Sequence, residues 1–305
     1  MRSGFLPAHP ARIDQYDGLK HVDDKREAYF LAELLRLGIL PTGHIYDKEL
    51  RPVRDLLRRR LGLVRKRTSL ILSFKSLYTR NTGGTLSLAR IKSMDRKQAE
   101  GLYEHPADEL ISGEQMELLG HLNRSIGRIE AAVLRVARLL PNYPRLQAIP
   151  GIGKILGLTI TLEVGDIRRF ETAGDYASYC RCVQSRRTSN DKNKGRNNGK
   201  CGNKYLAWAY VEAANCAKRY NTQCRAFVDR KTSKTNSIVA IKALACKLSK
   251  ASWHVMSEGT VFDLKRLFPG QGKSDEQPPL SDPSQPQEDR SVFRQSGREP
   301  DSGFG

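Results

Sequence analysis

The chain has 305 residues, of which 52 are Lys or Arg and 33 are Asp or Glu, so its formal charge is +19. This length allows about two domains with a sizeable core, and the excess of positive charge favours a polyanionic partner. No run approaches the roughly 18 consecutive apolar residues of a membrane helix, and the first residues lack the apolar run of a signal peptide, so we expect a cytosolic protein.

The first predicted helix covers residues 24–37. Its apolar side is formed by Phe30, Leu31, Leu34 and Leu35. Asp24 and Glu27 lie three residues apart in the first turn, so both carboxylates face the same side. Acids at this position usually stabilise the helix dipole. The alternative is a pair of oxygen ligands for Mg²⁺, which in a two-metal nuclease would need further carboxylates from elsewhere.

A second and longer helix is predicted over residues 52–79, with Pro52 in its first turn. Between Arg51 and Arg67 it carries eight basic residues and a single acid, Asp55. A solvated charged face is the ordinary explanation of such a run. We favour contact with phosphates, because so many like charges on one helix repel each other unless an anion neutralises them.

A seven-residue apolar repeat runs from Leu119 to Leu140 with no proline inside it. The repeat predicts a helical hairpin or a short coiled coil, which pairs either with the 52–79 helix or with a second subunit. Its members are Leu119, Leu122, Ile126, Ile129, Val133, Val136 and Leu140. Pro141 and Pro144 are predicted to close this helix and to mark a domain boundary.

The segment Ile149-Pro150-Gly151-Ile152-Gly153-Lys154 predicts a tight glycine turn between two helices. Amides at the start of the second helix can bind an anion, and the pattern resembles a helix-hairpin-helix, which clamps the DNA backbone without reading sequence. An ordinary glycine turn between core helices is the alternative. The basic surroundings favour nucleic acid, with Gly151, Gly153 and Lys154 as DNA contacts.

A strongly basic and polar loop follows within residues 181–204, with Asp191 as its one acid. It suits a loop that contacts nucleic acid, and we expect Arg186, Arg187, Lys192 and Lys194 to bind phosphates. Cations around Ser189 would stabilise a phosphoryl transition state if its hydroxyl were a nucleophile, although a plain loop residue is the simpler interpretation. Cys180, Cys182 and Cys201 do not have a usual zinc spacing.

Three more helices are predicted at about Lys204–Arg219, Thr222–Lys231 and Ser237–Met256. We expect Tyr205, Trp208, Ala209 and Val211 to belong to the core rather than to a base-stacking platform.

Three segments together resemble the DEDD-type transposases of bacterial insertion sequences. They are DDKREA with the following FLAELLRLGILP, the basic RDLLRRRLGLVRKRTSLILS, and the stretch from LQAIPGIGK through SRRTSNDKNKG and GNKYLAWAYVEAAN to TNSIVAIKALACKLSKASW. Such proteins join an N-terminal RuvC-like nuclease domain to a C-terminal transposase domain and recombine DNA ends, and members are guided by a structured RNA. The resemblance therefore implies DNA and a guide RNA as partners, Mg²⁺ as cofactor, and a nucleoid-associated protein of the bacterial cytoplasm.

The resemblance also assigns residues. The third and fourth acids of the family fall on Asp24 and Glu27, where the fourth is usually Asp, and its nucleophilic serine falls on Ser189. The first two acids of the quartet have no counterpart in the chain, so we expect an N-terminally truncated member with impaired or absent strand transfer. Loss of the central strands should leave the helices of residues 24–79 with exposed apolar faces.

The predicted fold is mainly α and has four parts. They are a truncated RuvC-like α/β remnant (1–80), a helical, coiled-coil-like linker (81–141), a helical transposase domain with the helix-hairpin-helix (142–268) and a disordered tail (269–305). The predicted function is a transposase that forms a homo-oligomer through the Leu119–Leu140 helix. The alternatives are a non-catalytic DNA-binding remnant or inhibitor of the full-length transposase, and a basic RNA-binding or repair protein.

Overall fold

The computed structural model describes residues 7–8, 13, 23–137, 140–183, 188–189, 192–193 and 201–269. Its helices are α1 (Asp24–Arg36), α2 (Leu50–Thr82), α3 (Leu88–Ser93), α4 (Arg96–Glu100), α5 (Pro106–Ala137), α6 (Asn142–Leu146), α7 (Lys154–Val164), α8 (Ala173–Tyr179), α9 (Lys204–Tyr220), α10 (Thr222–Thr232), α11 (Ser237–Ser257) and α12 (Leu264–Leu267). Strands β1 (Thr188–Ser189) and β2 (Lys192–Asn193) form a small antiparallel pair. The prediction of a mainly α fold is confirmed.

Helix α1 forms where the sequence predicts it. The Asp23 carboxylate caps it by accepting from the Arg26 amide, and the chain leaves it through Gly38, which has a φ of 69°. No residue of α1 is buried, and Leu35 is 51% exposed. The expected exposure of an apolar face is therefore seen on this helix.

Helices α2 and α5 pack along each other and form the most extensive contact between described helices. Ile71 and Phe74 of α2 lie in one buried cluster with Leu119 of α5, and Leu57 lies in a second cluster with Val133. Of the two predicted arrangements, the apolar repeat therefore pairs within the chain. The expectation that α2 exposes its apolar face is wrong, because α5 covers it.

Pairing through the same repeat with a second subunit is not supported. Leu119, Leu122 and Ile126 are only 4–6% exposed within the single chain. Their apolar surface is already removed from water, so it offers no driving force for association. Formation of a homo-oligomer stays a prediction.

The C-terminal helices surround α11, which packs against α6, α8, α9, α10 and α12. The bounds of α9, α10 and α11 agree with the predicted helices to within one residue. Small side chains on the buried side of α9, such as Ala213 and Ala214, let the helices approach closely. The phenols of Tyr176 and Tyr210 share a buried hydrogen bond of 2.7 Å, which satisfies both hydroxyl groups.

A buried apolar cluster also crosses the predicted boundary near residue 141. Tyr143 of α6 and Leu158 of α7 pack with Leu57 and Val133. Pro141 is the N-cap of α6 and Pro144 lies inside this short helix, so both follow the end of α5. Helices α2 and α5 are thus packed directly on the C-terminal helices.

The prediction that Tyr205, Trp208, Ala209 and Val211 belong to the core is confirmed for the last three, whereas the ring of Tyr205 is half-buried and lies against the cations of Arg58 and Lys204. Ala209 is fully buried, and Trp208 and Val211 pack against the same core. Within the described residues, no helix combines the length and the apolar character that crossing a bilayer requires.

Candidate functional site

The glycine turn joins α6 to α7 as predicted. Gly151 has a φ of +83°, and a Cβ at this position would lie 2.0 Å from the backbone oxygen of Ala213 on α9. Glycine is therefore required both by the left-handed backbone and by the close approach of α9. This packing accounts for Gly151 without any ligand.

Gly153 and Lys154 have different surroundings. Gly153 is the exposed N-cap of α7, it makes no side-chain cap, and a Cβ there would meet nothing within 4 Å. Lys154 is exposed beside it. The start of α7 thus presents backbone amides without a protein side chain to cap them, together with a cation, which is the arrangement that binds an anion.

The segment that carries Ser189 folds back on itself. In the β1–β2 pair, Ser189 lies opposite Lys192 and Thr188 lies opposite Asn193. The structure describes only the backbone of these four residues. The predicted phosphate contacts Arg186, Arg187 and Lys194 lie outside the described residues.

The two ends of this segment are joined at its base. The guanidinium of Arg181 donates to the carbonyl oxygen of Gly202 at 2.8 and 3.1 Å, and the amide of Asn203 donates to the carbonyl oxygen of Tyr179 at 2.7 Å. Gly202 has a φ of +94°, and a Cβ there would lie 2.4 Å from the Tyr179 oxygen. At the base of the segment, the backbone that enters it and the backbone that leaves it are therefore in direct contact.

A buried carboxylate lies next to this base. Glu163, near the end of α7, is 1% exposed. Arg58 of α2 donates to both of its carboxylate oxygens, at 2.6 and 2.7 Å, and the side-chain amide of Asn203 donates to one of them at 2.7 Å. The hydrogen bonds that Arg58 donates to the Glu163 carboxylate raise the pKa of Arg58, whose guanidinium also stacks 4.4 Å above the ring of Tyr205.

Two tyrosines extend the network towards the segment before α2. The hydroxyl of Tyr46 donates to the backbone oxygen of Glu163 at 2.8 Å and lies 3.2 Å from the hydroxyl of Tyr179. Burial and this neighbour raise the pKa of Tyr46 to about 12. Burial also raises the pKa of Tyr179, but its hydrogen bonds with Arg169 and Tyr46 outweigh burial, so that its pKa is lower than usual.

The basic run of α2 is divided between internal and external roles. Arg54 is buried and stacks 4.0 Å from the Tyr46 ring, Arg58 pairs with Glu163, and Arg60 pairs with Glu130 of α5. The exposed cations of the run are Arg51, Arg59, Arg65 and Lys66. The surplus of charge available to a polyanion is therefore smaller than the sequence indicates.

Asp24 and Glu27 are both exposed in the first turn of α1. Among the residues that the structure describes, no group of three or more His, Cys, Asp or Glu side chains is placed to hold a metal ion. The pair does not form a two-metal site with the described residues. Magnesium binding by Asp24 and Glu27 stays a prediction that requires donors from the rest of the chain.

The cysteines do not form a metal site in the described part of the chain. Cys180 and Cys182 are buried, whereas Cys201 is exposed. Burial raises the pKa of Cys182 to about 12 and that of Cys180 well above its usual range.

Sequence reasoning did not identify Glu163 or Asn203. The available signal was one acid inside the apolar run 160–164, because a charge in a buried helix needs a partner. Asn203 had the weaker signal of a favoured N-cap residue directly before a predicted helix.

The model of the "Transposase IS116/IS110/IS902 family" matches residues 143–229. The match covers the glycine turn, α7, α8, the Ser189 segment, α9 and most of α10. It therefore includes Glu163 and Asn203 as well as Ser189.

Similarity to individual proteins extends further along the chain. A "Probable family 20 transposase" of Pseudomonas aeruginosa is 25% identical over 253 residues, which are 78% of this chain and 74% of that protein. The "Transposase for insertion sequence element IS1111A" of Coxiella burnetii is 25% identical over 65% of this chain and 55% of its own length. The corresponding protein for element IS1328 of Yersinia enterocolitica is 26% identical over 48% of this chain and 47% of its own length. The chain is thus similar to insertion-sequence transposases, and it spans about half the length of two of these three.

Proposed function

We propose that this chain is a transposase of a bacterial insertion sequence, which binds element DNA and cleaves and joins its strands. The observation that carries the proposal is the family match over residues 143–229, which coincides with the glycine turn and with the segment of Ser189. Relatives named as transposases over a larger part of the chain support it.

Contact with DNA is proposed at the start of α7. Gly153 and Lys154 are exposed, and the first amides of α7 have no side-chain cap from Gly153, so a phosphate is proposed to bind there. Gly151 supports this turn through its packing on α9. Arg186, Arg187, Lys192 and Lys194 are proposed to hold further phosphates from the neighbouring segment.

A second polyanion is proposed on the outer side of α2. Arg51, Arg59, Arg65 and Lys66 are exposed there, while the opposite side of the helix packs on α5. The family resemblance makes a structured guide RNA the proposed partner of this face. Such a contact is electrostatic and depends strongly on salt.

The proposed reaction is attack of the Ser189 hydroxyl on a DNA phosphodiester. A bond forms between the serine oxygen and phosphorus while the bond from phosphorus to the leaving sugar oxygen breaks, and the serine proton passes to a base as the leaving oxygen gains one. Arginine and lysine side chains of the segment would stabilise the charge that develops on the phosphoryl oxygens. Asp24 and Glu27 are the proposed holders of Mg²⁺, which would neutralise phosphate charge when bound.

The proposal is tested with purified protein, element-end DNA, guide RNA and Mg²⁺. Strand joining by the parent, lost in Ser189→Ala and retained in the matched variant Thr188→Ala, is the expected result. Equal joining by Ser189→Ala and the parent would show that Ser189 is not the nucleophile.

A second test measures the salt dependence of DNA binding. The affinity for DNA should fall by about a thousandfold between 50 and 200 mM salt if six or more phosphates are neutralised. Salt-sensitive binding by a parent that never joins strands would instead identify a non-catalytic DNA-binding protein.

A further inference from the structure

Glu163 is the one acidic side chain that the described part of the chain buries. A buried carboxylate is stable only when it is paired and its oxygens are hydrogen-bonded. It also lies near the C-terminal end of α7, where the helix dipole disfavours negative charge. A residue this costly, placed next to the base of the Ser189 segment, requires an explanation other than simple packing.

Its three hydrogen bonds divide between two parts of the molecule. Two come from Arg58 on α2, and the third comes from the side-chain amide of Asn203, directly after the Ser189 segment. The orientation of Asn203 is fixed, because its side-chain oxygen accepts from the amides of Tyr205 and Leu206 at the start of α9. Only the side-chain nitrogen of Asn203 is left to contact Glu163.

Asn203 in turn holds the base of the segment. Its backbone amide donates to Tyr179 on the far side of the crossing, and the neighbouring Gly202 accepts from Arg181. A movement of Asn203 therefore changes both ends of the segment together.

We propose that Glu163, held by Arg58, is a positioning residue that fixes the Ser189 segment relative to the helices for strand transfer. The inference rests on the proposed function above. In this proposal Glu163 does not contact DNA, and it acts only through Asn203. Loss of the contact should therefore reduce the rate of joining on DNA that is already bound. Measurement at saturating DNA separates this effect from any loss of affinity through the cations of the segment.

The first test compares Glu163→Gln with Glu130→Gln, which breaks the similar ion pair between α2 and α5 far from the segment. Trypsin cleavage within residues 181–204 of the folded protein should be about tenfold faster in Glu163→Gln, because a hydrogen bond to a charged group contributes about one factor of ten to an equilibrium constant. Single-turnover joining at saturating DNA should fall about 100-fold, as expected when a reacting group is misplaced. Equal behaviour of the two variants in both measurements overturns the proposal.

The second test keeps the proposal falsifiable if Glu163→Gln folds poorly. Asn203→Asp retains the cap of α9 but places two carboxylates together, so it should show the same losses. The double variant Glu163→Gln/Asn203→Asp exchanges donor and acceptor, and should recover joining at least tenfold over Asn203→Asp. Absence of recovery, with all proteins folded, overturns the proposal. If the parent joins no DNA, the proposed function fails, whereas the trypsin comparison still decides whether Glu163 fixes the segment.

Discussion

Helices α1 and α7 are similar in length, with 13 and 11 residues, but they differ completely in burial. No residue of α1 is buried, whereas seven residues of α7 are. The sequence of α7 is apolar on almost every side, and the helix is accordingly surrounded by α2, α6 and α9. Helix α1 has a single apolar stripe, and no described element covers that stripe completely.

The difference shows that an amphipathic pattern predicts a helix without predicting a partner for it. The sequence stripe of α1 and the glycine turn before α7 were comparably clear signals, yet only α7 became part of the core. The family match begins at residue 143, so it includes α7 and excludes α1. The comparison therefore separates a buried helix inside the matched region from a helix outside it whose apolar side is partly accessible.

The strongest test of this comparison is a matched pair of leucine truncations. Leu158→Ala in α7 should lower the free energy of unfolding by about 2–5 kcal/mol, because Leu158 is fully buried and the change leaves a cavity. Leu35→Ala in α1 should change it by less than about 0.5 kcal/mol, because half of that side chain is already exposed. Urea denaturation of both variants measures the difference, and similar losses would show that α1 is buried in solution.

A second pair of variants separates packing from ligand contact in the turn before α7. Gly151→Ala should lower the free energy of unfolding by about 2–4 kcal/mol, since the methyl group meets the backbone of α9 and the φ is positive. Gly153→Ala should leave stability nearly unchanged, because a Cβ there has open space. Thermal denaturation measures both effects.

The same pair also tests the proposed DNA contact. If a phosphate approaches the start of α7 closely, Gly153→Ala should weaken DNA binding although it folds as the parent does. Unchanged affinity in Gly153→Ala would place the phosphate elsewhere and leave the turn with a purely structural role.

The sequence predicted α1, α2 and α9 to α11 well because their signals are local, whereas the short helices α3, α4, α6 and α12 were not predicted. The apolar spacing of Leu119, Leu122 and Ile126 and the caps of α9 to α11 depend on near neighbours in the chain. It could not predict the contact of Arg58 with Glu163, because 105 residues separate the two and many cations of α2 were equally good candidates. Gly151 was interpreted from its local backbone alone, and the close approach of Ala213 depends on tertiary packing.

The smallest predicted effect concerns the segment that links α1 to α2, where it contacts the end of α7. His44 lies so close to Gly165 that a Cβ there would be 2.9 Å from its Nε2 atom. Burial, and then the positive charge of Arg169, lower the pKa of His44, although Asp166 opposes the shift. The folded state therefore disfavours the protonated ring, so the unfolded chain binds more protons just below the usual pKa.

The contribution of neutral His44 to the free energy of unfolding is therefore fully present above about pH 6.5. It is lost as the pH falls towards the lower pKa of the folded state. Compared with His44→Gln, the parent should lose less than about 1 kcal/mol between pH 7 and pH 5, since the ring is largely exposed and solvent screens its neighbours. The free energies of unfolding of the two proteins, measured across this range, give the difference directly. If the difference between the two free energies did not change with pH, His44 would not contact the end of α7. The segment before α2 would then be as exposed to solvent as α1.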